Sequence, residues 1–279
     1  MIKAKINKII NSTFIDGPGS RMAIFLQGCN MHCLYCHNPE TQNHCNNCGI
    51  CVTACKQSAL MKNEGKLIYN KELCINCGEC IRLCPNMSSP KCYELNVEEL
   101  FEYVGKYAEF LDGITLSGGE CTEQAEFVYQ LFKKIKNETK LTTFIDTNGT
   151  LDLDIFKRLC TVTDGFMFDF KAWNRDKHLE LTGLNNENII KNASYASQQG
   201  SLYEIRTVVV QDFTDSDEEI KSIAGYIKNL NDYTLYKLIA FRPIGVKTHL
   251  LNYETTDSKI MNRLLKVARE ILDHRASII

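Results

Sequence analysis

Twelve of the chain's fourteen cysteines lie between Cys29 and Cys92. That crowding constrains the fold more than any other feature. The N-terminus, Met1-Ile2-Lys3-Ala4-Lys5, lacks the apolar stretch of an export signal. The expected compartment is therefore the reducing cytoplasm, where a disulfide framework is not expected. Dense, evenly spaced thiols then read as metal or cluster ligands. The rest of the composition is ordinary: 279 residues, 44% hydrophobic and 24% charged, enough for a sizeable core and about two domains. A net charge of −2 gives no footprint for nucleic acid. No apolar run approaches the ~18 residues of a membrane span.

The first cysteine motif, Cys29-x3-Cys33-x2-Cys36, follows an apolar run at 22–27. Three thiolates in a short loop can hold three corners of a cuboidal [4Fe–4S] cluster and leave one iron open. An open position is what a catalytic metal site needs. Two other readings compete. Cys33-Leu34-Tyr35-Cys36-His37 matches the C-x-x-C-H haem attachment pattern, but that chemistry normally follows export and leaves Cys29 unexplained. A structural zinc site is the plainer alternative.

The second and third motifs form a tandem. Cys45-x2-Cys48-x2-Cys51-x3-Cys55 is followed by Cys74-x2-Cys77-x2-Cys80-x3-Cys84-Pro85. This is the bacterial ferredoxin run in duplicate, and in such modules the fourth cysteine of each run ligates the other cluster. Cys45, Cys48, Cys51 and Cys84 are expected to hold one cluster. Cys74, Cys77, Cys80 and Cys55 are expected to hold the second. A pair of zinc sites would leave the third cysteine of each run surplus. Lys56 replaces the usual proline after Cys55, and Cys55 is kept as a ligand because that proline binds no iron. Cys92 reads as a spare thiol and Cys160 as a helix core residue.

Outside this stretch, six short apolar or β-branched runs read as buried parallel strands: 22–27, 114–117, 142–146, 166–170, 203–210 and 235–241. Helical periodicity separates most of them, at 97–110, 123–136, 152–160, 187–198, 216–230 and 258–272, with Asp152 and Ser216 as N-caps. Alternating β and α implies a parallel sheet with helical crossovers. A doubly wound sheet and a partial barrel both fit. Residues 41–92 break the rhythm and read as an insertion.

Polar groups collect where these strands end. Ser117-Gly118-Gly119-Glu120, Asp146-Thr147-Asn148-Gly149, Asp169-Phe170-Lys171 and Arg242-Pro243-Ile244-Gly245 each close a strand, and Arg206 lies inside one. Each taken alone reads as a turn or a solvated ion pair, apart from Arg206, whose charge in an apolar run needs a partner. Together they mark the catalytic face of a parallel α/β fold.

With these residues in view, the chain resembles the radical S-adenosylmethionine (SAM) superfamily. More narrowly it is similar to the activating enzymes of glycyl radical enzymes. The resemblance rests on Asp16-Gly17-Pro18-Gly19-Ser20-Arg21, Phe25-Leu26-Gln27-Gly28-Cys29, Cys36-His37-Asn38-Pro39-Glu40, the strand-end segments, and His178-x3-Thr182-Gly183-x2-Asn186. The tandem insert matches the larger subgroup, and within it the YjjW-type activases most.

That resemblance implies an α/β fold: a partial (β/α)6 parallel barrel over 1–40 and 93–279, with a ferredoxin-like two-cluster insert over 41–92. It implies three [4Fe–4S] clusters and SAM. Reductive cleavage of SAM would give a 5′-deoxyadenosyl radical, which takes hydrogen from a glycine of a partner glycyl radical enzyme. Cys29, Cys33 and Cys36 would hold the catalytic cluster. Tyr35 and its neighbours, His37 included, would lie by the adenine. Gly118, Gly119 and Glu120 would receive the SAM ammonium. Asp146 and Asp169 would frame a monovalent cation, and Lys171 and Arg206 would contact SAM. Arg242 stands where the family often has a SAM-touching histidine, and Cys121 stands where it has proline. A flavodoxin or ferredoxin-type reductant and a monomeric state are further family expectations. The alternatives are a radical SAM enzyme acting on a small molecule or peptide, a non-catalytic multi-cluster electron carrier, and a zinc-based binding module.

Overall fold

Each of the six apolar runs expected to form a strand does so in the computed structural model, which describes residues 2–279. In chain order the strands are β1 (Lys3–Thr13), β2 (Arg21–Leu26), β3 (Leu60–Asn63), β4 (Lys66–Tyr69), β5 (Tyr93–Asn96), β6 (Gly113–Gly118), β7 (Thr142–Thr147), β8 (Gly165–Asp169), β9 (Leu202–Val209), β10 (Leu235–Ala240) and β11 (Ala276–Ile278). The expected six are β2 and β6–β10. They pair in sequence order, all parallel, and β11 extends them beyond β10. On the other side β1 pairs antiparallel with β2, and β5 antiparallel with β1. The nine-stranded sheet ends at β5 and β11.

Strand β1 was not among the expected runs. Its inward alternation, Ala4 and Ile6, is interrupted by register shifts between Ile6 and Lys8 and again between Ile10 and Thr13. A bulge shifts the face that each later residue presents, so no continuous two-residue period survives.

The helices are α1 (Ile50–Ala54), α2 (Glu79–Arg82), α3 (Val97–Gly105), α4 (Ala125–Glu138), α5 (Leu153–Cys160), α6 (Arg175–Thr182), α7 (Glu187–Gln198), α8 (Asp217–Leu230) and α9 (Ser258–Leu272). The expected caps hold: the Asp152 carboxylate accepts from Asp154 N–H at 2.9 Å, and the Ser216 hydroxyl from Glu219 N–H at 3.2 Å. The helix expected over 97–110 stops at Gly105, and a separate 3-10 turn follows at Ala108–Phe110. Helix α6 was missed because its sequence is polar. It buries only His178, Leu181 and Thr182.

Residues 41–92, expected to be an insertion, have a small core of Cys51, Leu60 and Cys80 beside the β3–β4 hairpin. Its two cysteine runs fold alike. Gly49 (φ +88°) and Gly78 (φ +79°) each precede a short helix, and Asn47 (φ +59°) and Asn76 (φ +55°) occupy matching left-handed positions. Asn47 N–H donates to Cys45 Sγ and Asn76 N–H to Cys74 Sγ, both at 3.4 Å.

At the start of the parallel strands Arg21 is fully buried. Its five N–H groups all find acceptors. Nε donates to Thr115 Oγ1, Nη1 to Thr142 Oγ1 and the Pro18 carbonyl, and Nη2 to the Ile114 and Thr142 carbonyls, at 2.7–3.2 Å. The guanidinium also lies 4.3 Å over the Phe144 ring. Burial lowers its pKa to about 10, against the pull of Asp164 and Asp112, so it stays charged at neutral pH. The Asp16–Arg21 segment therefore staples β2, β6 and β7 at the end of the sheet opposite the strand-end residues. Lysine offers three donors without the planar fork. Arg21→Lys is expected to cost roughly 2–4 kcal/mol in urea unfolding, since each buried acceptor left unpaired costs about 1–3 kcal/mol. A loss below about 1 kcal/mol would contradict the staple.

Candidate active site

A cavity of about 570 Å³ opens at the C-terminal ends of β2 and β6–β10. Cys29, Cys33 and Cys36 line it, together with Tyr35 and His37 from the same loop. The loop is held by backbone bonds on both flanks. Gly28 N–H donates to the Thr41 carbonyl (2.8 Å) and Cys29 N–H to that of Gln42 (2.9 Å). His32 N–H donates to Thr182 and Leu34 N–H to Leu181, both at 2.9 Å. These last acceptors close α6, which gives the His178–Thr182 segment its role. Thr182 Oγ1 donates to the His178 carbonyl (2.8 Å), and His178 Nδ1 lies 2.7 Å from the Leu184 carbonyl. Asn186 Nδ2 donates to the Trp173 carbonyl at 2.6 Å and completes that frame.

Gly118 and Gly119 are required by backbone contact. Gly119 N–H donates to the Leu26 carbonyl (3.0 Å) and Glu120 N–H to that of Gly28 (2.7 Å). A Cβ on Gly118 (φ +130°) would stand 2.2 Å from Leu26 O, and one on Gly119 would stand 2.3 Å from Gly28 O. Only glycine fits so close an approach. Glu120, 2% exposed, spends most of its acceptor capacity within the protein. Oε1 accepts from Thr122 N–H, Thr122 Oγ1 and Thr147 Oγ1, and Oε2 from Asn148 N–H at 2.6 Å. Asn148 Nδ2 donates to Asn30 Oδ1 (2.9 Å), which closes a ring back to the cysteine loop. Thr122 and Asn30 were not singled out from the sequence, and Thr147 stood out only as part of the Asp146–Gly149 segment. Their signal is small, because hydroxyls and amides are common near strand ends.

The charged groups form two linked sets. Lys171 Nζ donates to Asp169 Oδ2 at 2.6 Å and stands 5.6 Å from the centre of the Tyr35 ring. Arg206 pairs with Glu204 through Nε and lies 3.5 Å from Asp146 Oδ1 through Nη1. Glu204 is fully buried, and its other oxygen lies 2.6 Å from Lys237 Nζ. Glu204 and Lys237 escaped the sequence reading, although Arg206 called for a partner. Asp146 Oδ2 accepts from Ser117 Oγ (3.0 Å), while its buried Oδ1 has no hydrogen-bond donor. Burial raises the Asp146 pKa to about 6; Arg206 opposes the shift and the Asp169 charge adds to it.

The structure does not bring Arg242 together with the other site residues. Its side chain is exposed and outside the cavity wall. Only its backbone carbonyl approaches, 2.8 Å from His37 Nε2. Gly245 (φ +82°) folds the segment tightly onto His37, where a Cβ would stand 2.0 Å from His37 O, so backbone rather than side chain meets the site. The His37 ring stacks on Phe241, with centroids 6.0 Å apart. The buried Cys121 thiol points at the Leu116 (3.4 Å) and Asp146 (3.6 Å) carbonyls.

Lys171 is the positive charge felt by Cys33 and Cys36, and it does not offset their burial. Burial and the Glu120 charge push the Cys29 pKa up to about 12. Burial takes Cys33 to about 11 against Lys171, and Cys36 is also raised. Thiolates here need a cation, as metal-bound thiolates have. Among the described residues no three His, Cys, Asp or Glu side chains close on a single-ion position. The three thiols instead share the wall of a cavity with room for a polynuclear group. Within residues 41–92, Cys55, Cys74, Cys77 and Cys80 line one cavity of about 600 Å³. Cys45, Cys48, Cys51 and Cys84 line a narrower neighbour, which Cys80 also borders. Each fourth cysteine thus sits with the other run.

A parallel α/β sheet carrying a three-cysteine loop at its catalytic end defines a class, and residues 23–224 match the profile of the Radical SAM superfamily. The chain belongs to that superfamily, among relatives that are activating enzymes of glycyl radical enzymes. It is 30% identical to the pyruvate formate-lyase-activating enzyme of Streptococcus mutans, over 86% of this chain and 80% of that one. It is also 30% identical to the trans-4-hydroxy-L-proline dehydratase activating enzyme of Clostridioides difficile, over 89% and 87%. Its fold resembles that of Streptococcus suis SuiB bound to precursor peptide SuiA, with a TM-score of 0.61 at 13% identity, covering 91% of this chain and 47% of that one.

The raised Asp146 pKa makes a signed prediction. Between pH about 4 and 6 the folded chain keeps a proton that the unfolded chain has lost, so wild-type stability falls as pH rises through that window. Asp146→Asn removes the fall. Its stability relative to wild type, read by urea unfolding of the metal-free protein, is expected to climb from pH 4 to 6 and then level off. A constant difference across that range would refute the assignment.

Proposed function

We propose that this chain cleaves SAM reductively and uses the resulting 5′-deoxyadenosyl radical to take a hydrogen atom from a glycine of a partner glycyl radical enzyme. One observation carries the reading. The three-cysteine loop, Gly118–Glu120, Asp146, Asp169, Lys171 and Arg206 all line one cavity at the C-terminal end of the parallel strands. The relatives named as activating enzymes support the partner class. We read the sheet as a partial (β/α)6 barrel spanning 1–40 and 93–279.

A [4Fe–4S] cluster on Cys29, Cys33 and Cys36 supplies, when bound, one electron and an open iron for the amino and carboxylate groups of SAM. The protein's own groups do the rest. The glycine pair, packed on the cysteine loop, presents backbone to the ammonium. Glu120 holds that backbone rigid through its bonds to Thr122, Thr147 and Asn148. Asp146 Oδ1, buried and without a donor, is suited to a cation, and Asp169 lies on the same wall. Arg206 and Lys171 bring positive charge, and Tyr35 and His37 offer flat faces to the adenine. A radical formed there needs water kept out, which the buried floor of the cavity, with Met31, Cys33, Tyr35 and Glu120, favours. In the insert, two further clusters on the crossed cysteine sets fit a role in electron transfer, with a flavodoxin or ferredoxin-type donor. We place the protein in the cytoplasm as a monomer.

The test is an anaerobic electron paramagnetic resonance (EPR) spectrum of the reconstituted protein with SAM, a strong reductant and a candidate glycyl radical enzyme. A persistent carbon-centred doublet that requires SAM is expected. Cys33→Ala should abolish both the doublet and 5′-deoxyadenosine formation. Full SAM cleavage by that variant would sink the site assignment.

A further inference from the structure

Gln27, 1% exposed, joins the cysteine loop to the insert with its whole side chain. Nε2 donates to the Glu40 and Asn43 carbonyls, both at 2.7 Å, where the chain runs into the insert. Oε1 accepts from Asn7 Nδ2 (2.8 Å) and from the Cys92 thiol (3.2 Å), where the chain returns. Beside this joint Cys29 N–H donates to the Gln42 carbonyl at 2.9 Å. The His44 ring covers Gly28, with Nε2 3.1 Å from the place a Cβ would take. Cys45 is three residues beyond Gln42, a reach of at most ~11 Å of chain.

The two cysteine sets stand differently toward this joint. The set of Cys45, Cys48, Cys51 and Cys84 adjoins it. Asn43 bridges to Ser88, whose hydroxyl is 3.4 Å from Cys84 Sγ, and Asn86 Nδ2 donates to the His44 carbonyl at 2.9 Å. The set of Cys55, Cys74, Cys77 and Cys80 lines a cavity with Ile75 and Leu83 on its wall, 66% and 41% exposed. Cys80 borders both cavities, so the sets are neighbours.

We infer that the insert is wired in series. The outer set, Cys55, Cys74, Cys77 and Cys80, takes one electron from a low-potential one-electron donor. The inner set, Cys45, Cys48, Cys51 and Cys84, passes it on. The Gln42 carbonyl, bonded to Cys29 N–H, is the contact through which it reaches the loop. The donor is oxidised by one electron, each insert site is reduced and then reoxidised, and the electron ends on the Cys29–Cys33–Cys36 site. This order rests on the proposed function, and the test separates the two.

The experiment is pulsed EPR on the full chain, reconstituted anaerobically and reduced with dithionite. A content of about twelve irons per chain and one signal that shifts on adding SAM support the underlying reading. Iron for a single cluster overturns that reading, and the order falls with it. With all three clusters present, the SAM-responsive signal is expected to relax faster when the inner site is reduced. Cys45→Ser/Cys48→Ser should lose that enhancement, and Cys74→Ser/Cys77→Ser should keep it. The reverse pattern overturns the order even if all three clusters assemble. In the intact protein, which needs no variant to fold, two strong dipolar couplings and one weak one are expected. The weak pair should join the outer site and the SAM-responsive site, and three equal couplings overturn the series.

Discussion

The close approach of two backbones beneath the cysteine loop organises the site around it. Strand β2 and the end of β6 come so near that neither Gly118 nor Gly119 can carry a Cβ. In return Leu26 and Gly28 accept N–H bonds from Gly119 and Glu120. The cysteine loop therefore starts from a rigid platform. Glu120 extends that platform to β7 through Thr147 and Asn148, and Asn148 returns it to the loop through Asn30. A buried carboxylate without partners would be costly, whereas one that accepts four protein donors can stay in place and order them. The carboxylate that the sequence suggests as a ligand group is, in the fold, first an organiser.

The same economy governs the charges. Asp169, Lys171, Asp146, Arg206, Glu204 and Lys237 would each be expensive alone in a largely closed cavity. They are instead linked in pairs, with Arg206 shared between Glu204 and Asp146. Glu204 holds Arg206 from the side away from Asp146, so a positive group is fixed at the wall. Asp146 Oδ1, with no hydrogen-bond donor and only the Arg206 charge at 3.5 Å, is where the network faces the cavity incompletely paired. The cost of that incompleteness shows as the raised Asp146 pKa. It is borne by a core in which Phe127, Phe132, Phe156, Phe166 and Phe168 are all buried against the sheet.

Much of this was legible in the sequence, because burial on both faces writes a strand as an unbroken apolar run. That is why β2 and β6–β10 could be read and β1, with its two register shifts, could not. The cysteine spacing was legible for a different reason: a short loop limits which thiols can share a centre. Side-chain direction was not legible. Arg242 follows its strand as expected but faces solvent, because the Gly245 turn packs backbone against His37. Arg21 read as part of a family signature, and only the fold shows that it staples three strands at the far end of the sheet. Partners distant in sequence, such as Lys237 for Glu204 and α6 for the cysteine loop, depend on topology that periodicity does not encode.

The way residues 41–92 join the sheet follows from the same geometry. A segment inserted straight after the cysteine loop leaves and rejoins the sheet beside β2, because β5 returns to pair with β1. Its two ends are then pinned within reach of one residue, and Gln27 bonds to both. Cys92, which read as a spare thiol, is one of those pins. A segment tethered at both ends to a buried side chain cannot swing as a free domain. Any group it carries keeps a fixed relation to Cys29. Asp146 and Lys171, at other strand ends, line the same cavity as the thiols. Beside β2, Cys29 N–H and the Gln42 carbonyl join that segment to the cysteine loop through backbone alone.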